Sequence, residues 1–312
     1  MLLEPRLVKL STRTGVEVRR TLPNAKLRRI GAWVFVDHFG PTPQTDGMVV
    51  AAHPHTGLQT MTWLFEGLVE HRDSVGSVQN IAPGQLNLMT AGRGISHSEL
   101  SQRGPSALHA AQLWIALPEA TRKITPSFEH LAELPALNLP SGATGTLLVG
   151  QMLGQQSPAK VHTPLVAAEL NLPVGVSLEV PVDANFEHGF LVVAGDALIA
   201  GQEVARENLE FVPAGVDTIA IEAVGNEPLK ILLIGGAPFD EPIVMWWNFI
   251  ARTHEEIVEL RDAWNNYEKA DASGRFGELG VAGEAIFATF ADRVGGWIPA
   301  PDLPNVTLRS RL

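Results

Sequence analysis

The amino-acid sequence predicts a mainly β protein made of two halves on one plan, and three observations carry that prediction. Short runs rich in Val, Ile, Leu and Phe are punctuated by 29 Gly and 22 Pro among 312 residues, the pattern of many short strands joined by turns. Stretches of the first half have counterparts in the second: "TWLFEGLVEHRDSVG" resembles "GFLVVAGDALIAG", and "PGQLNLMTAGRGISHSE" resembles "NLEFVPAGVDTIAIEA". Helical spacing of apolar residues enters only near the C-terminal end.

In chain order, "GAWVFVDHFG", "QTMTWLFEGLVEHRD", "QLNLMTAG" and "HAAQLWIALP" read as strands of the first half. The stretch "PSFEHLAELPALNLPSGATG" is rich in Pro, Gly and polar residues and marks the boundary. "VAAELNLPVGVSLEVPV", "HGFLVVAGDALIAG", "NLEFVPAG" and "PLKILLIGGAPF" supply the strands of the second half. Thr253 followed three residues later by Glu256 is a capping-box pattern, and Ile257, Leu260 and Trp264 recur at helical spacing, which predicts a short helix packed on a sheet. The Gly and Pro-rich "GRFGELGVAGEAIFATFADRVGGWIPAPDLPN" reads as a tail laid over another surface. The expected organisation is 1–125, 126–145 as linker, 146–248, and 249–312 as helix and tail.

Composition narrows the function classes. A formal charge of -11 repels phosphate backbones and anionic lipid, which disfavours direct nucleic-acid binding and membrane association. The absence of Cys excludes disulfides, thiolate zinc sites and a cysteine nucleophile. Pro5, Arg6 and Lys9 interrupt the opening where the apolar core of a signal would run, and no apolar run reaches membrane-spanning length, so a cytoplasmic location is expected. The loop "MTAGRGISHSE" lacks the Lys-Ser/Thr ending and the following helix of a phosphate loop, so no nucleotide site is expected.

Chemistry is concentrated in two pairs. His53 and His55 in "HPHTG" are two apart, as are His97 and Glu99 in "GISHSEL". An extended strand turns alternate side chains to opposite faces, so each pair shares a face and the two pairs could converge. Three imidazoles and one carboxylate suit Fe, Mn, Cu, Ni or Zn rather than the all-oxygen cages of Ca or Mg. Four protein ligands leave room around a six-coordinate ion for water, substrate or dioxygen. Gly57, Gly92 and Gly94 beside the pairs let the backbone turn tightly there. Asp37 and His38 read as a buried strand and turn, and His71, Arg72 and Asp73 as a strand end closed by charge pairing and turn hydrogen bonds.

"RRIGAWVFVDHFGP", "HPHTGLQTMTWLFEG", "HRDSVGS" and "PGQLNLMTAGRGISHSE" together resemble the pirin family within the cupin superfamily, closely from Arg28 to Glu99 and more loosely to about Asn248. The resemblance implies a bicupin of two β-barrel-like sandwiches, with one mononuclear iron in the N-terminal cupin held by His53, His55, His97 and Glu99. Other divalent first-row metals remain open. An ordinary cupin places a carboxylate a few residues after its H-x-H, where this chain has Gln59 and Thr60. The pirin pattern supplies it from Glu99 instead. Aligning Gly195 with Gly67 and Gly215 with Gly94 sets Pro181, Asp183, Thr218 and Ala220 opposite the four ligand positions, so the second cupin is expected to bind no metal. His162 and His188 there are read as structural.

The resemblance further implies a quercetin 2,3-dioxygenase-like enzyme acting on a small aromatic substrate and dioxygen. The metal would bind the flavonol through its 3-hydroxyl oxygen, Glu99 would take the proton as the catalytic base on loosening from the metal, and ring cleavage would release carbon monoxide and a depside. Met61, Trp63, Phe65 and Met89 are candidates for the apolar wall, although strand alternation requires some of them to face elsewhere. The alternative reading is an iron- and redox-dependent regulator that engages a protein partner without turnover.

Overall fold

The computed structural model describes residues 1–10, 17–42, 48–101, 107–266, 276 and 298–311. Its first half contains β1 (Trp33–Thr42), β2 (Val49–His55), β3 (Leu58–Glu66), β4 (Val69–Asp73), β5 (Val78–Ile81), β6 (Leu86–Thr90), β7 (Ile95–Ser101) and β8 (Leu108–Ala116). Its second contains β9 (Leu165–Leu172), β10 (Ser177–Pro181), β11 (Glu187–Ala194), β12 (Asp196–Ile199), β13 (Gln202–Val204), β14 (Leu209–Val212), β15 (Thr218–Val224) and β16 (Leu229–Gly236). Strands β10 and β15 alternate buried and exposed residues, whereas β3, β6 and β8 are buried on both faces, and the turns between strands are glycine-rich.

The two halves repeat one topology. In the first, the large sheet runs β6-β3-β8-β1 and the small sheet β2-β7-β4-β5; in the second, the orders are β14-β11-β16-β9 and β10-β15-β12-β13. Each large sheet is widened at both edges, by Ser127–Leu131 and Glu17–Leu22 with Arg6–Lys9 in the first half, and by Leu2–Leu3 and Thr144–Val149 with Ala136–Asn138 in the second. The chain therefore has two cupin-like domains, as the internal similarity predicted. The Pro-rich 126–145 stretch forms edge strands of both large sheets, and the first residues of the chain pair with β14 rather than with their own half.

The large sheets face one another across a shared apolar core that joins Leu58, Met61, Trp63 and Leu113 to Leu191, Leu209, Leu232 and Ile234. Trp63 donates its indole N–H to Glu169 Oε2 at 2.7 Å, and Trp33 donates to the Gly235 carbonyl at 3.0 Å, so both indoles reach across to the other half with their polar atoms satisfied. Separate clusters fill the two domain interiors, one around Val18, Phe39, Leu64 and Ile81, the other around Leu178, Phe190, Ile221 and Leu233. The interior of the first domain is where its polar residues gather.

The predicted helix is α1 (His254–Asn265), and its buried residues are Ile257, Leu260 and Trp264. Thr253 caps it, accepting the Glu256 N–H. Glu256 reaches back one residue beyond the cap, to the Arg252 N–H at 2.8 Å, and pairs with Arg122 of the first domain. Most of the Gly-rich tail lies outside the described residues. Within them, Phe276 is buried beside Trp264, and the Ile298 N–H donates to the Ala52 carbonyl at 2.8 Å. Among the described residues no helix is long and apolar enough to cross a membrane.

Candidate metal centre

Strands β2 and β7 are antiparallel neighbours with His97 directly opposite His53, and a register shift between His97 and Glu99. The tight turn after His55 depends on Gly57 at φ +69, where a Cβ would lie 2.3 Å from the Ile250 carbonyl oxygen. The Gly57 N–H in turn donates to the Gly92 carbonyl at 2.9 Å, which ties the end of one histidine strand to the loop that introduces the other. Local sequence thus brings the two pairs to one interior face.

One nitrogen from each of His53, His55 and His97 lies within 4.8 Å of the other two. His55 Nε2 and His97 Nε2 are 3.1 Å apart. Two imidazole nitrogens bound side by side to one ion at about 2.1 Å would stand on the order of 3 Å apart, so this spacing fits a shared cation. His53 Nδ1 lies 2.8 Å from the Ala51 carbonyl. As the donor in that contact it leaves the Nε2 lone pair free, the tautomer a metal requires.

Burial pushes all three imidazoles toward the neutral form. For His53 the Ala51 carbonyl and the Glu99 carboxylate act against burial. For His55 and His97, burial and then the charge of His53 carry them well below the ordinary value. Neutral imidazoles present lone pairs that can coordinate a cation, and the donor set fits a first-row metal.

Glu99 belongs to a second, overlapping group with His97 and His71. Both its carboxylate oxygens accept from Gln112 Nε2 at 2.9 Å. Gln112 projects from β8, paired with Thr62 of β3, and orients a carboxylate that would otherwise be buried without a donor. Neither His71 nor Gln112 was singled out as a site residue from the sequence. His71 does hydrogen bond Asp73 at 3.0 Å, and Asp73 accepts the Val75 and Ser77 N–H groups in the turn, as expected of a strand end. It is also buried, with its ring 5.2 Å from that of His97. The period-two spacing of Val69, His71 and Asp73 was the available signal. For Gln112 it was a lone amide within an apolar strand.

The walls differ from those expected. Met61, Trp63 and Phe65 lie on the face of β3 turned to the other domain, whereas Thr62 and Leu64 face the interior. Of the four candidates, Met89 shares the interior face, opposite Thr60 and Phe128. The aromatic wall is instead Phe35 stacked on Trp114 at 4.0 Å, Trp114 edge-on to His55 at 5.0 Å, and Phe128 stacked on His71 at 4.4 Å. The Trp114 indole N–H is buried without a partner among the described residues. Asp37 is held by a bidentate Arg20 pair at 2.7 and 2.8 Å, and His38 pairs with His109 between the domains.

In the second domain, Pro181 stands opposite Thr218 as His53 stands opposite His97. His162 and His188 join no group of three metal-ligating side chains among the described residues.

Comparisons with known proteins agree with this architecture. The family model described as pirin matches residues 15–115, and that of the pirin C-terminal cupin domain matches residues 167–270. A Pseudomonas aeruginosa protein whose name carries a provisional quercetin 2,3-dioxygenase assignment is 43% identical over 85% of this chain and 82% of its own length. A crystal structure of quercetin 2,3-dioxygenase from Acinetobacter baumannii superposes with a TM-score of 0.88 at 41% identity, covering 99% of this chain and 97% of that one. The bacterial pirin YhhW from Escherichia coli in complex with nickel(II) shares the fold, with a TM-score of 0.60 at 21% identity over 76% of this chain and 99% of its own.

Proposed function

This chain belongs to the pirin family, and on that premise we propose that it is an iron-dependent dioxygenase opening the ring of a flavonol such as quercetin. The observation that best supports the reading is the convergence of His53, His55 and His97 in the buried interior of the first domain, beside aromatic rings and with Glu99 next to them. In this reading His53, His55, His97 and Glu99 hold one mononuclear iron. The nickel(II) held by the Escherichia coli pirin makes the identity of the metal something to measure in this chain.

When bound, the ion would supply Lewis acidity toward the 3-hydroxyl oxygen of the flavonol and a redox centre for dioxygen. The chain's own residues supply the rest. Glu99 accepts the 3-hydroxyl proton, and Gln112, donating to both carboxylate oxygens, keeps it aimed. Phe35, Trp114 and Phe128 give the centre an apolar wall that excludes water, with Phe35 itself held between Trp114 and the Arg20 guanidinium.

Anaerobic purification with metal analysis, followed by a flavonol turnover assay with carbon monoxide detection, tests the proposal. Quercetin should perturb the metal's absorption spectrum before oxygen is admitted, and turnover should then release carbon monoxide. Metal-replete protein that neither shifts its spectrum nor cleaves quercetin would overturn the enzyme reading in favour of a metal-dependent protein-interaction role.

A further inference from the structure

The second domain contains a cavity of about 840 Å3 in the place where the first domain gathers its histidines. Its rim includes Pro181 and Asp183, the counterparts of His53 and His55, and its floor includes His188 on β11. His188 is 0% exposed, and neither of its ring nitrogens has a hydrogen-bond partner among the described residues. Thr163, also lining the cavity, has a buried and unpartnered Oγ1. Leaving such groups unmatched in a protein interior costs free energy, and the cost is removed when a ligand supplies the missing partners. The ring is held in place from behind: a Cβ on Gly235 would lie 2.8 Å from His188 Cδ2.

The chemistry of the walls selects the ligand class. Burial holds His188 neutral, with a pKa lowered to about 4, so one ring nitrogen donates and the other accepts. A hydroxyl group is complementary to either ring nitrogen, donating to the one or accepting from the other, and its remaining capacity suits the Thr163 hydroxyl, which has the same dual character. Asp183 at the rim disfavours anions, while the one cation there, Lys160, is answered by Glu129 at 3.7 Å. Phe186, Val166 and Leu233 give the cavity an apolar wall beside its polar groups, a setting for an aromatic ring that carries a hydroxyl. A metal is not suited to it, since Pro181, Thr218 and Ala220 replace three of the ligand types of the first domain.

We propose that the second cupin retains its cavity as a binding site for an uncharged, hydroxyl-bearing aromatic molecule, a simple phenol, seated with its hydroxyl between His188 and Thr163. The site is separate from the candidate metal centre and does not depend on the activity proposed for it. The volume lies within the range of small-molecule pockets.

The test uses metal-loaded, full-length protein labelled with 15N-histidine and titrated with 4-ethylphenol, with ethylbenzene as the control lacking the hydroxyl. The expected result is a saturable shift of the His188 ring nitrogens with 4-ethylphenol alone. His188→Phe should weaken binding by about ten-fold or more, Thr163→Val should weaken it to a smaller degree, and neither should change bound metal. His188→Phe should fold, because it places an apolar ring of similar size among apolar neighbours. Should it not fold, Thr163→Val and the His188 resonances decide the matter. The proposal is overturned if ethylbenzene binds as well as 4-ethylphenol. It is equally overturned if shifts appear only at the histidines of the first domain, or if both variants bind like wild type.

Discussion

The proposed mechanism gives Glu99 two tasks, to hold a cation and to take a proton, and Gln112 is placed to influence both. Because the Gln112 amide meets both carboxylate oxygens, Gln112→Leu should release the carboxylate from its fixed direction and lower iron affinity by about 10 to 100-fold. Equilibrium metal competition would measure the loss, while an unchanged far-UV spectrum would confirm that the domain still folds. Glu99→Gln keeps the size and one oxygen acceptor but removes the charge and the base, so turnover should disappear even in preparations that retain metal. Equal turnover by wild type and Glu99→Gln would remove the proton-transfer role. Part of this neighbourhood was legible in the sequence. The four candidate ligands stand out because pairs two apart on a strand must share a face. Gln112 and His71 carry only weak local signals, a lone amide in an apolar strand and a period-two spacing, because their proximity to the ligands arises from pairing of strands distant in the sequence.

Individual elements were legible where local chemistry decides them. The helix is the clearest case: Thr253 caps, and Ile257, Leu260 and Trp264 are the residues it buries. Thr253→Ala should cost about 1 kcal/mol of stability, measured by urea denaturation, because it orphans an N-terminal N–H. Glu256 carries a pH dependence. Burial alone would push its carboxyl up, but the Arg252 backbone N–H and the Arg122 guanidinium outweigh burial and hold it down to about 2, against an ordinary 4.5. A depressed carboxyl contributes stability that is complete above the unfolded value and lost as pH falls through the folded one. Stability should therefore decline between pH 4.5 and about 2, and Glu256→Gln should flatten that part of the curve. The wall residues were less legible. Met61, Trp63 and Phe65 form one face of β3, but whether that face meets its own domain's interior or the neighbouring domain depends on how two sheets pack.

At the scale of the whole molecule, the repeat of sheet orders makes the two domains comparable strand by strand, and their differences then become informative. The sequence similarity between the halves pointed to duplication. It could not place the edge strands from 126–145 or carry Leu2–Leu3 to the second domain, because edge pairing is settled by long-range geometry. The interface between the domains should respond to acid. His109, together with His38 at 2.8 Å, is kept neutral by burial and by the positive charges of Arg206 and Arg19, with a pKa lowered to about 4. Below the ordinary value of 6.5 the unfolded chain binds a proton that the folded one refuses, so stability should fall as pH drops from 6.5 toward 4. His109→Gln should reduce that slope in denaturation curves taken across the interval.

The most direct measurement is anomalous diffraction at the iron edge from crystals of iron-loaded protein. The account predicts one strong peak per chain, in the first domain, bounded by His53, His55, His97 and Glu99, and lost in His97→Ala. An equally occupied ion in the second domain, or wild-type occupancy in His97→Ala, would contradict it.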